Sequence, residues 1–108
     1  METYESKLKS SDIDMLFEMI LMLETEEDCY RFFEDVCTVA ELRAIAQRLE
    51  VAAMLRQGVT YQEIAKRLGA STATISRVNR SLSYGTGGYT RMFERLEERE
   101  RESAEPDR

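Results

Sequence analysis

An all-α fold is predicted by three features of the sequence. Pro occurs once and Gly five times, with four of the glycines at position 69 or later, so few residues interrupt a helix. Thr-x-x-acid signatures stand at Thr25/Asp28, Thr38/Glu41 and Thr60/Glu63, the pattern in which a hydroxyl caps the amide three residues on; in the latter two the Glu is expected to reach back to the amide of the capping Thr. Between these signals apolar residues recur at three- and four-residue spacing, the period of a helix with one face on a core.

The first helix is expected over Asp12 to Leu23 (DIDMLFEMILML), where apolar residues cover almost the whole circumference. A chain of 108 residues has little material to cover such a helix on every side, so a second copy is expected to supply it. The longest apolar stretch, Met15 to Leu23, is interrupted by Glu18, is about half the ~20 residues needed to cross a bilayer and lacks the flanks of a signal peptide, so a cytoplasmic protein away from membranes is expected. Glu26 to about Val36 forms the second helix. Cys29 and Cys37 are eight apart and no His is present to complete a zinc set, so both read as reduced core thiols and no metal or other cofactor is expected.

The third helix spans Glu41 to Gln57, with Leu42, Ile45, Leu49, Ala52, Ala53 and Leu55 on its apolar face and Gly58 as its stop. Tyr61 to Leu82 (YQEIAKRLGASTATISRVNRSL) holds two more. Ile64, Ala65 and Leu68 form one apolar face, Gly69 supplies a tight turn, and Ser71 caps a helix whose inner face is Ile75, Val78 and Leu82. Small Ala65 followed four residues later by Gly69 is helix-turn-helix spacing. Gly85, Gly87 and Gly88 then break the chain before a sixth helix through Met92, Phe93 and Leu96. The GTGG run lacks the spacing and leading strand of a phosphate loop. A single domain over residues 11–96 is expected, with the helix-turn-helix at 61–82 and flexible termini at 1–10 and 97–108.

Charge is distributed unevenly. The net charge is −6, yet Arg43 to Leu82 carries seven basic residues against Glu50 and Glu63, while Ser11 to Glu41 carries ten acids against Arg31. Salt at ~0.15 M screens charges beyond ~8 Å, so a partner meets the basic segment rather than the global charge. On a helical wheel the face opposite Ile75, Val78 and Leu82 holds Thr72, Ala73, Ser76, Arg77 and Arg80. Hydroxyls, a methyl and two guanidiniums suit base edges and phosphates in a major groove. Lys66 and Arg67 suit phosphates, and with Ser71 and Thr74 at the helix start the expected DNA-binding set is complete.

The segment LGASTATISRVNRSL resembles the core of the Trp repressor family, and the likeness runs from about Ser11 to Leu96, supported by TVAELRAIAQRLEVAAMLRQG at Thr38 to Gly58. The whole chain looks like the YerC/YecD-type, Trp-repressor-related branch. This resemblance implies six helices per chain, an interlocked homodimer, and two helix-turn-helix units presented to successive major grooves of double-stranded DNA. It also implies an effector pocket: Arg48 and Arg77 match the guanidiniums that sandwich an indole, and Thr38 and Ser81 match the hydroxyls near the ligand's carboxylate and amino group. Val78 stands where the tryptophan-binding members have Gly, and the loop between Gly58 and Thr60 is one residue shorter. Tryptophan is therefore not expected as the effector, although another small molecule has room to act.

The function expected is that of a DNA-binding transcriptional regulator, a repressor acting on a two-fold operator. The alternative is an interaction module that docks protein or RNA without operator-specific DNA binding. Single-stranded RNA readers expose aromatics for stacking, and Tyr61 is the only aromatic in the basic segment. An enzyme is not expected, because His, a metal cluster and a nucleophile beside a base are all lacking.

Overall fold

The computed structural model describes residues 4–104, and these contain six helices and no strand. They are α1 (Ser11–Ile20), α2 (Glu26–Val36), α3 (Val39–Arg56), α4 (Tyr61–Leu68), α5 (Thr72–Tyr84) and α6 (Gly88–Ala104). The expected flexibility of the extreme ends, residues 1–3 and 105–108, lies outside the described residues. Residues 97–104, assigned to a flexible terminus from the sequence, are helical and continue α6. The chain divides into two compact units, Met1–Val39 and Ala40–Arg108.

In the first unit α1 stops at Ile20, three residues short of the expected end. The next amides bond as a tightened turn, Met22 N to Met19 O at 3.1 Å and Leu23 N to Ile20 O at 3.1 Å. Ser10 precedes α1 without capping it; its hydroxyl instead donates to the Asp12 carboxylate, which holds that carboxyl below its ordinary range. Thr25 caps α2 by accepting from Asp28 N at 3.0 Å, and the Asp28 carboxylate reaches back to Glu24 N at 3.1 Å. Phe32 and Phe33 meet edge to face with centroids 5.2 Å apart. Cys29 and Cys37 are free and half-buried. No α1 residue is buried: Met15, Phe17 and Met19 are between 47% and 56% exposed, and Leu21 and Met22 in the turn that follows are 85% and 72% exposed.

The second unit holds the buried core. Val51 and Ala52 from α3, Ile64 from α4, Ala70 from the turn, and Ile75 and Val78 from α5 are all buried, with Tyr89 and Phe93 of α6 packed on them. Each of the four largest, Ile64, Ile75, Val51 and Val78, contributes about 1.5–3 kcal/mol by leaving water. α3 begins directly after Thr38 and ends where expected: Gly58 takes φ +82°, Gly58 N bonds Leu55 O and Val59 N bonds Met54 O, the paired bonds of a left-handed helix stop. α6 is tied to α3 by the Arg56 guanidinium, which grips both Glu97 oxygens at 3.1 and 3.2 Å and lies 5.2 Å over the Phe93 ring. Among the described residues no helix is long and apolar enough to cross a membrane.

Between α5 and α6 the chain leaves no room at Gly85, where an added Cβ would lie 2.3 Å from the Ser81 carbonyl oxygen. Three residues on, the same addition at Gly88 meets nothing within 4 Å. G85A is therefore expected to lower stability by about 1–3 kcal/mol, whereas G88A stays within about 0.5 kcal/mol of the parent. Urea unfolding followed by circular dichroism checks the contrast, and equal midpoints for the two variants would count against the tight corner.

Candidate nucleic-acid interface

α4 and α5 are the helices that pack directly on one another through Ile64, Ile75 and Val78. Each is set locally. Thr60 caps α4 by accepting from Glu63 N at 3.2 Å, and Gly69 ends it at φ +67°, with its own N–H on Ala65 O at 2.8 Å. Ser71 then caps α5 by accepting from Thr74 N at 3.1 Å, while its hydroxyl donates to Thr74 Oγ1 at 3.0 Å. Gly69 is the one residue of this turn in the left-handed region, where a side chain is disfavoured.

One local expectation is corrected. Glu63 was expected to reach back to the amide of the Thr60 cap, but its carboxylate instead meets Arg67 Nε at 3.0 Å, one turn further along α4. A charged guanidinium outcompetes a neutral amide for a carboxylate at comparable reach. The pair is exposed and worth about 0.3–0.5 kcal/mol, so releasing Arg67 from Glu63 costs little.

The side chains sort into two faces of α5. Ile75 and Val78 are buried and Leu82 is half-buried, whereas Thr72, Ala73, Ser76, Arg77 and Arg80 are exposed. Lys66 and Arg67 are exposed at the end of α4, Ser71 is exposed at the turn, and Thr74 is half-buried with its hydroxyl bonded to Ser71. α5 contains no acidic residue, and Lys66, Arg77 and Arg80 have no carboxylate partner among the described residues. Thr72, Ala73, Ser76, Arg77 and Arg80 thus form an exposed face that carries positive charge and no negative charge.

One link across the unit was not legible in the sequence. Asn79 Nδ2 donates to the Tyr61 hydroxyl at 2.9 Å, tying the start of α4 to the middle of α5. Gln47 of α3 adds a longer bond, its amide donating to Leu68 O at 3.4 Å. Both bonds join residues 18 or more apart in sequence, beyond the reach of any local pattern.

The residues matched to an effector pocket are less concentrated. Arg77 and Ser81 stand one turn apart on α5, Arg48 is half-buried on α3, and Thr38 belongs to the first unit. A cavity of about 580 Å³ is lined by Ser81 with Leu49, Gly85, Tyr89, Met92 and their neighbours, and neither Arg48 nor Arg77 is among its walls. Val78 is 1% exposed and fills the inner side of α5 with a branched side chain.

Two short helices at a left-handed glycine, the second bearing an acid-free polar face, define a helix-turn-helix protein of the DNA-binding regulatory class. The chain belongs to the Trp repressor protein family, whose model matches residues 11–97. It is 53% identical over 98 residues to the uncharacterized protein YerC of Bacillus subtilis (strain 168), covering 91% of this chain and 94% of that one. Among solved structures it resembles a TrpR-like protein from Eubacterium eligens ATCC 27750, with TM-score 0.81 and 58% identity over 83% of this chain and 93% of the other. A candidate Trp repressor from Staphylococcus aureus has the same TM-score of 0.81 at 52% identity, covering 84% of this chain and 91% of that one.

Proposed function

We propose that this protein is a sequence-specific transcriptional regulator, a repressor, that binds a two-fold operator as a homodimer. The observation carrying the reading is the division of α5 into a buried face of Ile75 and Val78 and an exposed face of Thr72, Ala73, Ser76, Arg77 and Arg80 without an acid. In a major groove this face meets base edges and the flanking backbone, Ser71 and Thr74 hold the helix start, and Lys66 and Arg67 meet phosphates. A module for protein or single-stranded RNA is less well supported: Tyr61, the aromatic of the basic segment, is half-buried and its hydroxyl is held by Asn79. A repressor of this kind works in the cytoplasm, on the chromosome.

The exposed Met15, Phe17 and Met19 of α1, with Leu21 and Met22 in the turn after it, support the dimer, because a segment this apolar on its surface gains several kcal/mol from cover. Thr38, Arg48, Arg77 and Ser81 remain the candidate effector set. The buried Val78 argues that tryptophan is not the effector and that α5 is held in a reading position by its own packing. A resting state that already binds DNA needs no ligand to populate it.

Independent measurements test this reading. Duplexes recovered by selection from random sequence should show two half-sites about one helical turn apart, and K66A and R67A should each reduce the slope of log affinity against log salt by about 0.9 for each half-site engaged. If both variants keep the parental affinity and slope, the docking face has been assigned wrongly. Sedimentation at micromolar concentration should give a dimer mass; a monomer of undiminished helicity would remove the role assigned to α1. Calorimetry with L-tryptophan should show no micromolar binding, and V78G should weaken DNA binding while losing about 1.5–3 kcal/mol of burial and about 1 kcal/mol of helix propensity. Micromolar tryptophan binding that tightens operator affinity would falsify ligand independence.

A further inference from the structure

Beside the reading face, a second feature of the α4–α5 unit has a chemistry of its own. An open cleft of about 440 Å³ lies between the start of α4 and the second half of α5, lined by Tyr61, Ser76, Asn79, Arg80, Ser83 and Tyr84. None of the six carries a negative charge, and Arg80 has no carboxylate partner among the described residues. Tyr61 accepts from Asn79 Nδ2 at 2.9 Å, so its oxygen is occupied by a donor and its own O–H is left to donate. The hydroxyls of Ser76 and Ser83 and the guanidinium of Arg80 add donors to the same walls. Tyr84 closes the cleft with a ring that is 86% exposed.

A site that is rich in donors, free of carboxylates and anchored by one unpaired guanidinium selects a compact anion with several acceptor oxygens. The exposed ring at its edge suits an apolar C–H surface next to that anion. We propose that this cleft is a backbone subsite for one sugar-phosphate unit of duplex DNA, with the phosphodiester on Arg80, Tyr61 and Ser83 and the deoxyribose against Tyr84. The proposal rests on the DNA reading above and deepens it: Arg80 is removed from the base-reading set and becomes a register-setting phosphate contact. The interface then extends beyond Arg80, the last residue of the expected DNA-binding set, to Ser83 and Tyr84. The Asn79–Tyr61 bond has a positioning role, since it fixes the ring that forms one wall.

Phosphate and base contacts leave different signatures in equilibrium binding. R80A is expected to weaken binding to the selected operator and to an unrelated duplex by the same factor, about tenfold, and to reduce the salt slope by about 0.9 for each cleft engaged. R80K, which keeps the charge, should retain the slope. Y84A should lower affinity several-fold for both duplexes with the slope unchanged, since it removes an uncharged contact. Circular dichroism verifies that these exposed substitutions leave the fold intact. The cleft assignment is overturned if R80A weakens only the operator, which would make Arg80 a base reader, or if R80A leaves the slope unaltered, or if Y84A has no effect. Should the parent protein itself show no salt-dependent duplex binding, the DNA reading fails and takes the cleft with it; failure confined to the variants overturns the cleft alone.

Discussion

The buried contact between α4 and α5 is the constraint on which the rest of the second unit depends. Ile64, Ile75 and Val78 have almost no exposed surface, and they meet Val51 and Ala52 of α3 with Ala70 wedged at the turn. Small residues at Ala52 and Ala70 let the backbones approach, and the β-branched side chains on either side have few rotamers to choose from. Once the inner face of α5 is fixed in this way, the direction of Thr72, Ala73, Ser76, Arg77 and Arg80 follows from helix geometry. The outward face needs no contacts of its own to be oriented.

Val78 is 1% exposed and fills the space beneath α5. Under the proposed function, that side chain makes the orientation of α5 intrinsic rather than ligand-dependent, at the expense of room for an aromatic effector. The Asn79–Tyr61 bond ties α5 to α4 about a quarter turn around the helix from Val78. Two neighbouring residues of α5, one apolar and one polar, thus hold it to the protein by different physical means. Burial is non-directional and sets distance, while the hydrogen bond sets rotation.

Charge and apolar surface are segregated along the chain. The acids are concentrated before residue 42 and after residue 92, leaving the α3–α5 segment positive within a protein of net charge −6. A polyanion would therefore be attracted to one region and repelled by others, which favours a single docking orientation over non-specific adhesion. The exposed apolar surface of α1 is a separate feature, carried by the first unit and flanked by acids at Asp12, Asp14 and Glu18.

Helix starts and stops were legible in the sequence because they are governed by contacts between residues three to six apart. Thr25, Thr60 and Ser71 cap as their spacing requires, and Gly58 and Gly69 take the left-handed geometry that ends α3 and α4. The buried face of Ile75 and Val78, and with it the exposed candidate site, followed from the 3.6-residue period. Competition between partners was not legible: Glu63 had both a cap amide and Arg67 within reach, and only the folded side chains decide for Arg67. The same holds for contacts between distant residues, such as Arg56 gripping Glu97 over Phe93, or Asn79 meeting Tyr61 to wall the cleft beside Arg80. Sequence by itself determined what each short segment does with its own backbone. The tertiary structure alone decided which polar side chains find one another, because those pairings depend on how separate helices pack and no local period encodes that.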